Sequence, residues 1–152
     1  MGVRVRDTGQ RGVFLQGSDN LVMDCAVMKV GWDGICGGPA TLVKGSQVAE
    51  SGSFGINLSG GGCAAVGNMV RASETGIMAW SPGVSVTDNM VSGNINNGIA
   101  LWDDSTITRN TAYNNGNKGI SSGAYCTITN NTTDGLKNGT NCTLADNTVT
   151  TP

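Results

Sequence analysis

Apolar residues in this chain come in short alternating bursts, never in long runs. An aliphatic residue follows each of Gly12, Gly34, Gly55, Gly76, Gly98, Gly119 and Gly135, and the position two further on is mostly apolar too: Val13/Leu15, Ile56/Leu58, Ile77/Ala79, Ile99/Leu101. Alternation with period two over so few residues predicts a short strand with one face inward. The glycines are separated by 22, 21, 21, 22, 21 and 16 residues. A second column, Cys25, Ser46, Asn68, Asn89, Asn110, Asn131 and Asn147, keeps nearly the same beat, with steps of 21, 22, 21, 21, 21 and 16. Three residues before it stand Val86, Ile107, Ile128 and Leu144, and two after it Val27, Val48, Val70, Val91, Ala112, Thr133 and Val149. Each unit therefore holds three short strands joined by three bends. A helical reading fails, because no segment keeps a 3.6-residue period and glycine interrupts every window.

The repeat is plainest from Gly76 to Asn110, where GIMAWSPGVSVTDNMVSGNINN is restated as GIALWDDSTITRN. Three strands per turn, repeated about seven times, predict an all-β parallel solenoid about 33 Å long, from coils rising by the strand spacing. Like residues then lie over like. The second column becomes an inward ladder of Asn amides, each donating to one neighbouring coil and accepting from the other. Cys25 and Ser46 take this column in the first coils, so the ladder should weaken there. The 16-residue step removes a loop between Asn131 and Gly135. Val3-Arg4-Val5 reads as a third strand with nothing before it, and no amphipathic capping helix closes either end. The expectation is a single domain over residues 1–152, a piece of a longer chain or one that buries its ends by assembly.

Composition narrows the chemistry. Charged residues make up 13% and the net charge is -2, which disfavours nucleic acid as a partner. No apolar run approaches the roughly 20 residues of a membrane span, and the start lacks the apolar core of a secretion signal. Five cysteines, an odd number without CxxC spacing, suggest neither a disulfide scaffold nor a zinc site. Cys63, Cys126 and Cys142 should face inward and Cys36 outward, all as free thiols. The chain has no histidine, which excludes Ser-His-Asp and Cys-His catalysis.

The Gly-Ile marker, the Asn ladder and segments such as SVTDNMVSGNINNGIALW and TITNNTTDGLKNGTNCTLADNTV resemble the right-handed parallel β-helix superfamily. This is the fold of pectate-lyase-like polysaccharide lyases, pectin hydrolases, alginate epimerases and phage tailspikes. The resemblance implies a single-stranded right-handed helix of coils, with the Asn ladder at the bend between the second and third strands. It implies a carbohydrate cleft along the first strands, those that follow the Gly markers. It also implies a polysaccharide partner, an extracellular or virion-associated location and, by analogy with tailspikes, a trimer. No signature of one enzyme class selects a single member. A copper-maturation β-helix is disfavoured by the missing histidines.

Trp80 and Trp102 each stand four residues after a Gly marker in adjacent coils, so they should face outward and stack about 4.8 Å apart. They form either a platform for a sugar ring or a surface covered by a loop or a neighbouring subunit. Asp103 and Asp104 could bind a sugar hydroxyl or calcium, although the calcium-binding nonapeptide of other β-solenoids is absent; solvated turn formers are the plain alternative. Asn57, in a first strand, is a further hydrogen-bonding candidate. Asp33, Glu50 and Glu74 should lie in the loops entering the first strands, as candidate acid or base of a lyase or hydrolase. Asp33 and Glu74, two coils apart, would be roughly 10 Å from one another. Lys29 and Arg71 share these loops and could neutralise a uronate; surface ion pairing is their plain alternative. Two functions remain open: a polysaccharide-recognising module, catalytic or not, and a structural solenoid with no small ligand.

Overall fold

The computed structural model describes residues 2–150. Within them the chain passes in strict rotation through three parallel sheets, of seven, seven and eight strands. The first sheet runs from Val13–Leu15 to Leu136–Lys137, the second from Leu21–Met23 to Thr143–Ala145, and the third from Arg4–Thr8 to Thr148–Val149. Strands pair only with their counterparts one coil away. Ile35, Ile56, Ile77, Ile99 and Ile120 thus stand in one registered, fully buried file. Val43, Ala65, Val86, Ile107 and Ile128 make the inner file of the second sheet, and Val27, Val48, Val70, Val91 and Ala112 that of the third. These files are the positions that the period-two pattern assigns inward, and together they form the core.

The Gly marker has a packing cause. A Cβ on Gly34 would collide with the Val48 side chain and lie 2.6 Å from Gly55 O. The same holds at Gly55 and Gly76 against Val70 and Val91. The first strand can enter this close to the third sheet only without a side chain.

Each bend turns on one residue in the left-handed region. Before the second-column residues these are Asp24, Gly45, Gly67, Asp88, Arg109, Asn130 and Asp146, with φ between 53° and 63°. Between the first and second strands they are Asp19, Ala40, Gly62, Gly83, Asp104, Tyr125 and Asn141. Near the ends of the third-sheet strands or just beyond them they include Lys29, Glu50, Ala72, Gly93 and Asn114. Glycine, Asn and Asp tolerate this conformation best, which accounts for much of the composition.

The Asn ladder occupies the bend between the second and third sheets. Asn68, Asn89, Asn110 and Asn131 each donate from both backbone N–H and Nδ2 to the Oδ1 of the next asparagine, at 2.8–3.0 Å, ending on Asn147. Their Nδ2 groups also reach back to carbonyls of the preceding coil, such as Asn89 to Ala65 O at 2.9 Å. Upstream the ladder thins as expected. Ser46 N–H still donates to Asn68 Oδ1, but Cys25 N–H meets only the Ser46 hydroxyl, at 3.2 Å.

A second ladder, absent from the sequence reading, fills the bend between the third and first sheets. Ser73 N–H donates to Asn94 Oδ1, Asn94 N–H and Nδ2 to Asn115 Oδ1, and Asn115 N–H to Asp134 Oδ2, at 2.9–3.2 Å. It ends on a carboxylate whose Oδ1 is buried without a partner.

Candidate functional site

On the first sheet the residues between the buried ones point out, in three files. The middle file runs Phe14, Cys36, Asn57, Met78, Ala100, Ser121 and Lys137 in register. The file before it includes Arg11, Asp33 and Phe54, and the file after it Trp80 and Trp102. The outer face divides between two regions that meet at Trp80.

The first is a groove of about 430 Å³. Trp80 and Trp102 border it, Met78 and Ala100 form its floor, and Ser121 and Lys137 lie at its far end. The indoles are 47% and 53% exposed, so both keep a face for a ligand. They do not form the expected stack: Trp80 instead sets edge to face against Phe54, with centroids 5.9 Å apart. The cause is local. Registered pairing between the two strands stops at Met78↔Ala100, and the Ser81-Pro82-Gly83 corner is one residue longer than Asp103-Asp104. Asp103 also lines the groove; its Oδ1 accepts from Ala124 N–H at 2.8 Å. Asp104 is the left-handed bend residue, φ 54°, beside it.

The second region is dry and polar beneath an aromatic rim. Asp33 is only 3% exposed. Its Oδ2 accepts from Arg11 Nε and from Asn57 Nδ2, both at 3.1 Å, and its Oδ1 takes a long 3.4 Å contact from Phe54 N–H. The Arg11 guanidinium lies 4.5 Å from the Phe14 ring centroid and 5.2 Å from that of Trp32. Such cation–π contact, with the buried carboxylate behind, fixes the arginine in one pose. Asn57 is 9% exposed, and its Oδ1 is buried without a partner. A lone buried acceptor of this kind costs about 1–3 kcal/mol.

Cys36 is in the outward file, as expected, yet it is buried. Burial first, and the Asp33 carboxylate second, push its thiol up from the ordinary range, with Arg11 acting in the opposite sense. An unactivated thiol is a packing element and not a nucleophile. All five cysteines are free, with Cys142 the half-buried one.

The remaining candidates are scattered. Glu50 and Lys29 are not in loops but are left-handed residues near the ends of the third-sheet strands Gln47–Ser51 and Ala26–Val30. Arg71 is exposed at the end of the strand Met69–Arg71 in the same sheet. Glu74 is exposed just before Thr75, where Asn96 Nδ2 approaches its Oε1 at 3.4 Å. Asp33, Glu50 and Glu74 do not line the tryptophan groove. The structure thus brings together Trp80, Trp102 and Asp103 in one region, and Asp33 and Asn57 in the other. Arg11, Trp32, Phe54, Ser121 and Lys137 were missed by the sequence reading. Arg11 and Phe54 were within its reach, being 22 residues before and 21 after Asp33, one coil to either side.

Among the described residues no group of three or more His, Cys, Asp or Glu is placed to hold a metal ion, and no helix is long and apolar enough to cross a membrane.

This geometry is a parallel solenoid with a bordered outer face, and comparison with known families agrees at that level. The chain matches the family described as the right-handed beta helix region over residues 2–151, and it belongs to that family. No curated protein and no solved structure matches it.

Proposed function

We propose that the chain is a glycan-recognising β-helix module, with the sugar seated in the groove between Trp80 and Trp102. One observation carries this reading: two half-exposed indoles flank a channel whose floor, Met78 and Ala100, is small and pliant. Leaving two tryptophans in water is unfavourable, and indole faces suit the apolar faces of sugar rings. Asp103, Ser121 and Lys137 border the channel and supply acceptors and donors for hydroxyl groups. The reading is binding without turnover. Asp33 is held by Arg11 and Asn57, and Glu50 and Glu74 lie away from the groove, so no carboxyl pair flanks a bond in it.

The test is a printed panel of neutral and acidic oligosaccharides, followed by calorimetry on the tightest binder. Trp80→Ala and Trp102→Ala should each lower affinity by about 1–2 kcal/mol, roughly 5- to 30-fold. Absence of binding by the unaltered protein would favour a structural solenoid instead. Release of unsaturated uronate or of reducing ends would overturn the claim that no turnover occurs.

A further inference from the structure

We infer that Asn57 Oδ1 is a specificity-determining acceptor at one end of the glycan groove, selecting a sugar that presents a free hydroxyl there. The inference rests on the reading of the Trp80–Trp102 groove as a glycan site.

An amide can offer either an acceptor or two donors, and which edge faces a ligand depends on what holds the other. At Asn57 that choice is already made. Arg11 Nε donates to Asp33 Oδ2, and the same oxygen accepts from Asn57 Nδ2, both at 3.1 Å. A carboxylate paired with arginine accepts only, so the amide nitrogen must turn to it. The oxygen is left as the free edge, and it has no partner. The arrangement is a relay: Phe14 and Trp32 hold Arg11, Arg11 holds Asp33, Asp33 orients Asn57.

Asn57 also adjoins the groove. Along the outward file it is followed by Met78 and then by Ala100, which form the floor. Asn57 does not itself line the groove and its Oδ1 is closed over, so a ligand reaches it only when the half-buried, unbranched Met78 side chain swings aside and extends the floor by one coil. Phe54 and Trp80, in edge-to-face contact, stand on either side of that file. A hydroxyl arriving there donates to Oδ1 and removes its deficit. A carboxylate or a methyl ether brings no donor and leaves the acceptor unsatisfied. Sites built around one hydrogen bond discriminate in this way.

The experiment uses the whole chain, with the tightest-binding oligosaccharide of the panel and its set of mono-O-methyl derivatives as probes. The unaltered protein should bind one methylated form roughly tenfold more weakly than the parent and the others nearly as well. Asn57→Ala should abolish that preference, while Trp80→Ala should weaken all the probes alike. Thermal unfolding of each variant checks that the fold persists. Asp33→Asn is the second variant. It puts an amide that can donate as well as accept where the acceptor-only carboxylate stood, lets the Asn57 amide turn its N–H outward, and should shrink the preference. If Asn57→Ala and Asp33→Asn keep the full preference while Trp80→Ala loses affinity, the inference is wrong and the groove stands. If the unaltered protein binds no probe, or Trp80→Ala binds unchanged, both fall.

Discussion

Removal of one central amide from the Asn ladder should be among the costliest single changes in the molecule. In Asn89→Ala the perturbation is countable. Asn89 Oδ1 accepts Asn68 N–H at 2.9 Å and Asn68 Nδ2 at 3.0 Å. Its Nδ2 is shared among Ala65 O, Thr87 O and Asn110 Oδ1, at 2.9–3.0 Å. After substitution Asn68 Nδ2 keeps Val43 O, and Asn110 Oδ1 keeps the Asn89 N–H. Asn68 N–H and Ala65 O lose these partners in a site closed to water. At about 1–3 kcal/mol each, the loss is about 2–6 kcal/mol, against a typical total margin of about 5–15 kcal/mol. The internal control is Asn147→Ala. Asn147 accepts the same two bonds from Asn131 but is half-buried, so water can replace it, at a cost of about 1 kcal/mol. Urea unfolding followed by far-ultraviolet circular dichroism compares the two. Coils touch only their neighbours, so a central break should also broaden or split the transition. Equal losses for the two variants would refute the argument that burial, and not the count of bonds, sets the cost.

Four further outcomes are expected. Gly76→Ala should destabilise by about 1–3 kcal/mol in thermal melts, because its Cβ meets the Val91 side chain and lies 2.6 Å from Gly98 O. Asp134→Asn, which replaces the partnerless Oδ1 of the second ladder by an amide, should raise stability by about 0.5–1 kcal/mol in the same assay. The bidentate Arg109 contact holds the Asp88 carboxyl below its usual range. A depressed folded-state value contributes stability above the unfolded carboxylate range and loses it as pH falls through the depressed value. The melting difference between the unaltered protein and Asp88→Asn should therefore vanish in acid and shrink in high salt. A colorimetric thiol reagent should titrate Cys142 first, with Cys25, Cys36, Cys63 and Cys126 protected until denaturant is added.

The architecture was legible because it rests on residues whose role repeats. The Ile file, the Gly file and the Asn file each recur every 21 or 22 positions, save for a final step of 16 in the last two, and each carries one physical demand: apolar volume, absence of Cβ, or paired amide bonds. The second ladder recurs as well, as Ser73, Asn94 and Asn115, five residues after Asn68, Asn89 and Asn110. It was hidden because serine and asparagine there look like ordinary loop composition. The bends escaped for a related reason: Glu50, Lys29 and Arg109 are unusual left-handed residues, and nothing in their chemistry announces it. The site was legible only where one residue type suffices. Exposed tryptophans could be placed by counting from the nearest glycine. The Arg11–Asp33–Asn57 relay could not, because it joins three residues on three coils through the sideways reach of their side chains.

The three left-handed bends make every coil a closed lap, and adjacent laps agree in phase. Duplicating a block of 21 residues, such as the span from Asn89 to Arg109, should therefore only lengthen the stack by one storey. Everything beyond the graft would ride outward unchanged, and the wall bearing the indoles would gain a rung. Adding a single residue within a strand would instead turn its pleat over, and the isoleucine meant for the interior would be left in the rain.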